Sequence, residues 1–105
     1  MDNSTLLSVL KTDLQTKTDA NDSYLSQLLN FSLSQMKEMG ITVEMTTDTN
    51  NEEVASDESI QMIQVHFASY LFRKRAGEET GMPRFLKREI NNLLFSQKME
   101  TGEEA

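Results

Sequence analysis

The chain has no cysteine and no tryptophan, one histidine, one proline and four glycines in 105 residues. Without cysteine there can be no disulfide framework, zinc-thiolate site or cysteine nucleophile. The four glycines are scattered as helix punctuation, so no Gly-rich phosphate cradle is available. The lone histidine, His66, has Met62, Ile63, Ser69 and Tyr70 at helical spacing around it, which supplies no second metal ligand. Embedded in an apolar run, it reads as a buried or half-buried neutral imidazole. No apolar stretch approaches the length of a bilayer span. The start, MDNSTLLSVLKTDL, has neither the basic opening nor the long apolar run of a signal peptide. The Asn-x-Ser/Thr triplets at Asn3, Asn21 and Asn30 are therefore expected to stay unmodified, and the protein to be made in a cytosol with no membrane partner.

One further lack concerns charge of one sign. Residues 38–72 hold seven acids and no base, whereas residues 73–98 hold seven bases against three acids. The net charge of -7 is thus the sum of an acidic and a basic region. It disfavours non-specific nucleic-acid binding over the whole surface while leaving room for a local basic patch.

What is present is enough for one domain. At 105 residues a chain buries roughly two thirds of its unfolded surface. The organising stretch is Ser59 to Arg75, SIQMIQVHFASYLFRKR, where nine of the thirteen residues from Ile60 to Phe72 are apolar and occupy more than one helical face. Such a helix has to be covered by other elements. Ser56 or Asp57 caps it, Asp57 and Glu58 suit the positive end of its dipole, and Arg73, Lys74 and Arg75 suit the negative end.

Around it the pattern predicts three more helices. A first, over about 4–14, places Leu6, Leu10 and Leu14 on one face after Asn3 or Ser4 as cap. A second runs from a cap at Asn21 or Asp22 to Met39, with Leu25, Leu28, Leu29, Met36 and Met39 as its stripe, Ser32 closing that stripe and Gly40 as a left-handed C-terminal cap. Core filling is the expected role of Met36, Met39 and Met62. A fourth opens at Pro83, with Leu86, Ile90, Leu93 and Leu94 inward, Phe85 beside them, and Arg84, Lys87, Arg88 and Lys98 outward. Ile41, Val43 and Met45 alternate with polar residues, which allows one short strand in need of a partner edge. The expected fold class is all-α: a bundle of about four helices with a long acidic loop, holding that one strand at most, between helices 2 and 3. Residues 1–98 form a single domain, loop 41–57 projects and can be disordered in isolation, and 99–105 is a disordered acidic tail.

No catalytic constellation is present, so no enzyme, cofactor or metal site is expected. The carboxylates Glu44, Asp48, Glu52, Glu53, Asp57 and Glu58 lack the glycine and alternating oxygen ligands of a calcium loop. They read as a solvated loop, or as a face turned to a channel or to a basic neighbour. If helices 3 and 4 form an antiparallel hairpin, Arg73, Lys74, Arg75, Arg84, Lys87 and Arg88 form one patch suited to an acidic partner or a second copy. The same six bases also read as an ordinary solvated helix end and helix face.

A short helix, a polar connection with Asp19 and Asp22 and an amphipathic second helix are followed by a variable loop. A hydrophobic helix carrying Tyr70-x-x-Arg73 and a Pro83-led helix, MPRFLKREINNLLFSQK, complete the order. Over roughly residues 4–97 this resembles the head-tail connector, or head-completion adaptor, proteins of long-tailed bacteriophages. The resemblance implies a ring-forming structural virion protein, a dodecamer, docked beneath the portal protein at the head-tail interface. Such a ring extends the DNA channel, lets DNA pass without specific binding, and supports a further head-completion or tail-side adaptor. In that family the C-terminal helix commonly docks on the portal. The acidity of 44–58 departs from the family pattern, and a ring of carboxylates would repel passing phosphates. The alternative is a small acidic phage-encoded regulator or inhibitor acting through protein-protein binding. A helix-turn-helix DNA binder using Arg84, Lys87 and Arg88 fits less well, because the connection from Ala76 to Met82 exceeds the usual turn and the net charge has the wrong sign.

Overall fold

In the computed structural model, which describes residues 1–16, 20–75 and 81–101, each helix end can be traced to a local cause. Helix α1, Asn3–Asp13, is capped by Asp2, one residue earlier than the pattern suggests; its carboxylate accepts the N–H of Thr5 at 2.8 Å. The helix closes with Thr16 N–H donating to the Lys11 carbonyl and Gln15 N–H to that of Thr12, and Gln15 takes φ +59°. This is a Schellman motif built without glycine. Helix α2, Asp22–Glu38, ends in the same motif on Gly40, at φ +100°, with Ile41 N–H donating to Met36 and Gly40 N–H to Lys37. The left-handed cap expected at Gly40 is therefore present. Ile41 is turned inward beside Met36, so it joins the core instead of opening a strand.

The connection that follows is ordered as a hairpin. Strands β1 (Met45–Thr47) and β2 (Glu53–Ala55) pair antiparallel with Met45 opposite Ala55, Thr46 opposite Val54 and Thr47 opposite Glu53. The expected single strand thus finds its edge within the chain. Asp48 makes the turn: its Oδ1 accepts the N–H groups of Asn50 and Glu52, and Asn51 takes φ +61°, a conformation Asn tolerates. Val54 and Ala55 are buried, while β1 is exposed throughout.

Helix α3, Glu58–Arg75, starts on Asp57, whose carboxylate accepts Ser59 N–H and whose carbonyl accepts Gln61 N–H. Helix α4, Arg84–Thr101, starts on Pro83, whose carbonyl accepts Lys87 N–H. It extends beyond Lys98, where the sequence reading closes the domain. Residues 76–80, Asp19 and residues 102–105 lie outside the described residues.

Among the described residues the molecule is four helices and this two-stranded sheet, a small predominantly helical globule. Helix α3 is its post. On one side Ile60, Ile63 and Phe67 pack with Leu33, Met36, Ile41, Leu86 and Ile90 from α2, the Gly40 corner and α4. On another, Val65 and Ala68 pack with Leu6, Leu10, Leu25, Leu28, Leu29 and Val54 from α1, α2 and β2. Even the polar Gln61, Gln64 and Ser69 of α3 are buried. Gln61 Nε2 donates to the carbonyls of Met1 and Ala55, and its Oε1 accepts from the N-terminal ammonium. Gln64 Nε2 donates to the Leu29 carbonyl. Buried amides are tolerated where they find such partners.

Candidate interaction surfaces

The start of α3 is the acidic end. Glu44, Glu52, Glu53, Asp57 and Glu58 are exposed, and Asp48 is half-buried. Several of these carboxylates have work within the chain. Asp48 Oδ2 accepts the N–H of Asn3 at 2.9 Å, Glu52 accepts from the Asn3 side-chain amide, and Asp57 caps α3. The N–H groups of Asn3, then Glu52 and Asn50, hold the Asp48 carboxyl below its ordinary range, because each stabilises the ionised form. The Thr5 hydroxyl and N–H do the same for Asp2. Glu44 contributes through its backbone, whose carbonyl accepts both the N–H and the hydroxyl of Ser56. Glu53 sits on the exposed end of β2.

The six bases are not arranged alike. At the tip of α3 each finds a different neighbour: Arg73 donates to the carbonyl of Asp13 at the end of α1, Lys74 lies 5.9 Å from the Tyr70 ring and Arg75 lies 4.5 Å from the Tyr24 ring of α2. The two guanidinium contacts tie the end of α3 to α1 and α2, whereas the Lys74 contact stays within α3. Arg84, Lys87 and Arg88 on α4 are exposed. Arg73 does share one depression with the start of α4, lined by Asp13, His66, Tyr70, Pro83 and Phe85. Of the tip bases Arg73 therefore lies beside the start of α4, while Lys74 and Arg75 of α3 and the three bases of α4 are all exposed.

His66 is half-buried and faces Glu89 of α4, Nδ1 to Oε1 at 2.8 Å, with the Phe85 ring edge-on at 5.4 Å. An ionised carboxylate only accepts, so Nδ1 carries the proton. Sequence reasoning missed Glu89 as the partner; its signal is the register in which it falls beside the inward Leu86 and Ile90. It also missed Gln97, which donates to the Thr42 carbonyl and accepts Thr42 N–H, fastening the last turns of α4 to the strand-side connection.

The apolar surface departs further from expectation. Met36 is core, but Met39 and Met62 are surface residues, and Phe85 is 55% exposed instead of lying with the inward stripe. Phe95 at 68% and Met99 at 66% complete an outward apolar face of α4. Its signal was readable: Phe85, Phe95 and Met99 fall on the side of the helix opposite Leu86 and Ile90.

Among the described residues no group of three His, Asp or Glu side chains is placed to hold a metal ion, and no helix is long and apolar enough to cross a membrane. Compared with known proteins, the chain matches no family model, and no curated sequence or solved structure is similar to it at a significant level.

Proposed function

We propose that this chain is a non-enzymatic structural subunit of the phage head-tail connector kind, which forms a ring beneath a portal protein, carries the DNA channel onward and supports the next adaptor or the tail. The observation that carries the reading is the separation of charge on a small helical body. Exposed carboxylates gather where α3 starts, and exposed bases with bare aromatic surface gather where α3 ends and α4 begins. A subunit with complementary ends suits head-to-tail association, and a carboxylate-lined passage lets DNA slide because it repels phosphate. The resemblance in element order adds the portal as partner, a ring of twelve, and the virion as location.

The decisive experiment mixes the protein with the portal of its own phage and images the product. A co-axial ring on the portal is the expected outcome. Failure to associate across a range of salt concentrations removes the proposal. A companion variant, Glu53→Lys, changes an exposed carboxylate without touching a cap, and should lower ring occupancy or DNA retention.

A further inference from the structure

Helix α4 has a buried face and a bare one. Phe85, Arg88, Asn92, Phe95 and Met99 succeed one another at steps of three and four residues, the spacing of a stripe that meets another element. Arg84, Lys87 and Arg88 surround its first half, and the acid in those turns, Glu89, is turned to His66. Two such halves facing each other would set bases against bases, which disfavours a symmetric pair of α4 helices.

The complementary surface is the β-hairpin of the same chain. By register, Met45 and Thr47 of β1 share a face with Glu53 and Ala55 of β2; Ala55 is buried against α3, and Met45, Thr47 and Glu53 are exposed. Glu44, one residue before Met45, falls on the opposite side of the pleat, and residues 38–72 contain no base to compensate these charges. The hairpin cannot serve its own α4 start. Gln61 to the Ala55 carbonyl fastens it beside the beginning of α3, with Asp48 tied to Asn3 of α1, whereas Phe85 lies against His66 and the depression reaching Tyr70 and Arg73, roughly 15 Å further along that helix.

We infer that the exposed hairpin face of one copy seats on the first turns of α4 in the next. Met45 meets Phe85, a thioether on an aromatic ring, while Glu53 meets Arg84, Lys87 and Arg88. The contact is heterologous, so repetition closes a ring or continues as a filament. It rests on the connector reading for its purpose, and it is tested without a portal.

The absence of cysteine makes the test clean. Met45→Cys and Phe85→Cys are prepared as separate full-length proteins and mixed under mild oxidation at low ionic strength. The expected product is a disulfide-linked heterodimer, in roughly tenfold excess over either homodimer and suppressed by salt. Adding Glu53→Lys to the Met45→Cys protein should reduce the yield, and adding Lys87→Glu to the Phe85→Cys protein as well should restore it. Absence of the heterodimer, or a Phe85→Cys homodimer as the main product, overturns the inference. Rings on a portal without this cross-link remove the hairpin contact and leave the connector reading standing. The cross-link in a protein that ignores the portal does the reverse.

Discussion

Asp48 in the hairpin turn accepts the backbone N–H of Asn3 at the start of α1, 45 residues away in sequence, at 2.9 Å. Its other oxygen holds the turn itself through Asn50 and Glu52. One carboxylate therefore organises the hairpin tip and supplements Asp2 at the positive end of a helix. An acidic residue counted as loop charge is in fact a strut between two elements.

This arrangement sets a pH dependence. Asp2 and Asp48 both have folded-state values below the ordinary carboxylate range. Their stabilisation is fully present above the unfolded carboxylate value of about 3.9, and is lost as pH falls through the lower folded values. Thermal melts should be level from neutrality to mildly acidic pH and fall below about pH 4. Asp48→Asn, which keeps an acceptor for the turn but no charge for Asn3, should shrink that acid-side loss. Amide exchange at Asn3 should accelerate in the variant.

Gln15 occupies the left-handed position that α2 gives to glycine. Gln15→Gly should relieve the Cβ clash and stabilise the protein by about 0.5–1 kcal/mol, measured by urea denaturation with an unchanged slope. Gly40→Ala should cost about 1 kcal/mol, and by conformation alone, because an added Cβ there would meet Leu94 at an ordinary 3.8 Å.

The two buried glutamines of α3 should respond oppositely to the same replacement. Gln61→Leu leaves the carbonyls of Met1 and Ala55 without their donor and should cost about 2–3 kcal/mol. Gln64→Leu removes a buried Oε1 that has no partner among the described residues, and Leu29 keeps its own helical bond. That change should be neutral or stabilising by up to about 1 kcal/mol. Equal losses for the two variants in denaturant titrations would refute this division.

His66 and Glu89 join α3 to α4 at 2.8 Å in a partly exposed setting. A double-mutant cycle with His66→Ala and Glu89→Ala should return a coupling of about 0.5–1 kcal/mol. For scale, Leu10→Ala in the fully buried core should cost about 2–5 kcal/mol, whereas Phe95→Ser should leave stability within about 0.5 kcal/mol.

Local sequence determined the helices. Apolar spacing, the cap at Asp57 and the glycine at Gly40 act within a few residues, so α2 and α3 were legible to within a residue or two, and so was the role of α3 as a post needing cover on several sides. Tertiary structure decided the rest, because the deciding partners are far apart along the chain. Loop 41–57 read as a projecting acidic loop that can be disordered in isolation, yet the turn at Asp48 and burial of Val54 and Ala55 make it a hairpin tied to Asn3. Gln61 and Gln64 are polar residues in an apolar run and lie inside, since carbonyls 60 and 35 residues away accept their amides. The six bases looked equivalent, but Arg73 and Arg75 reach across to Asp13 of α1 and Tyr24 of α2. Composition fixed the segregation of charge, and packing chose which of those charges, and which aromatics of α4, face outward to meet another molecule.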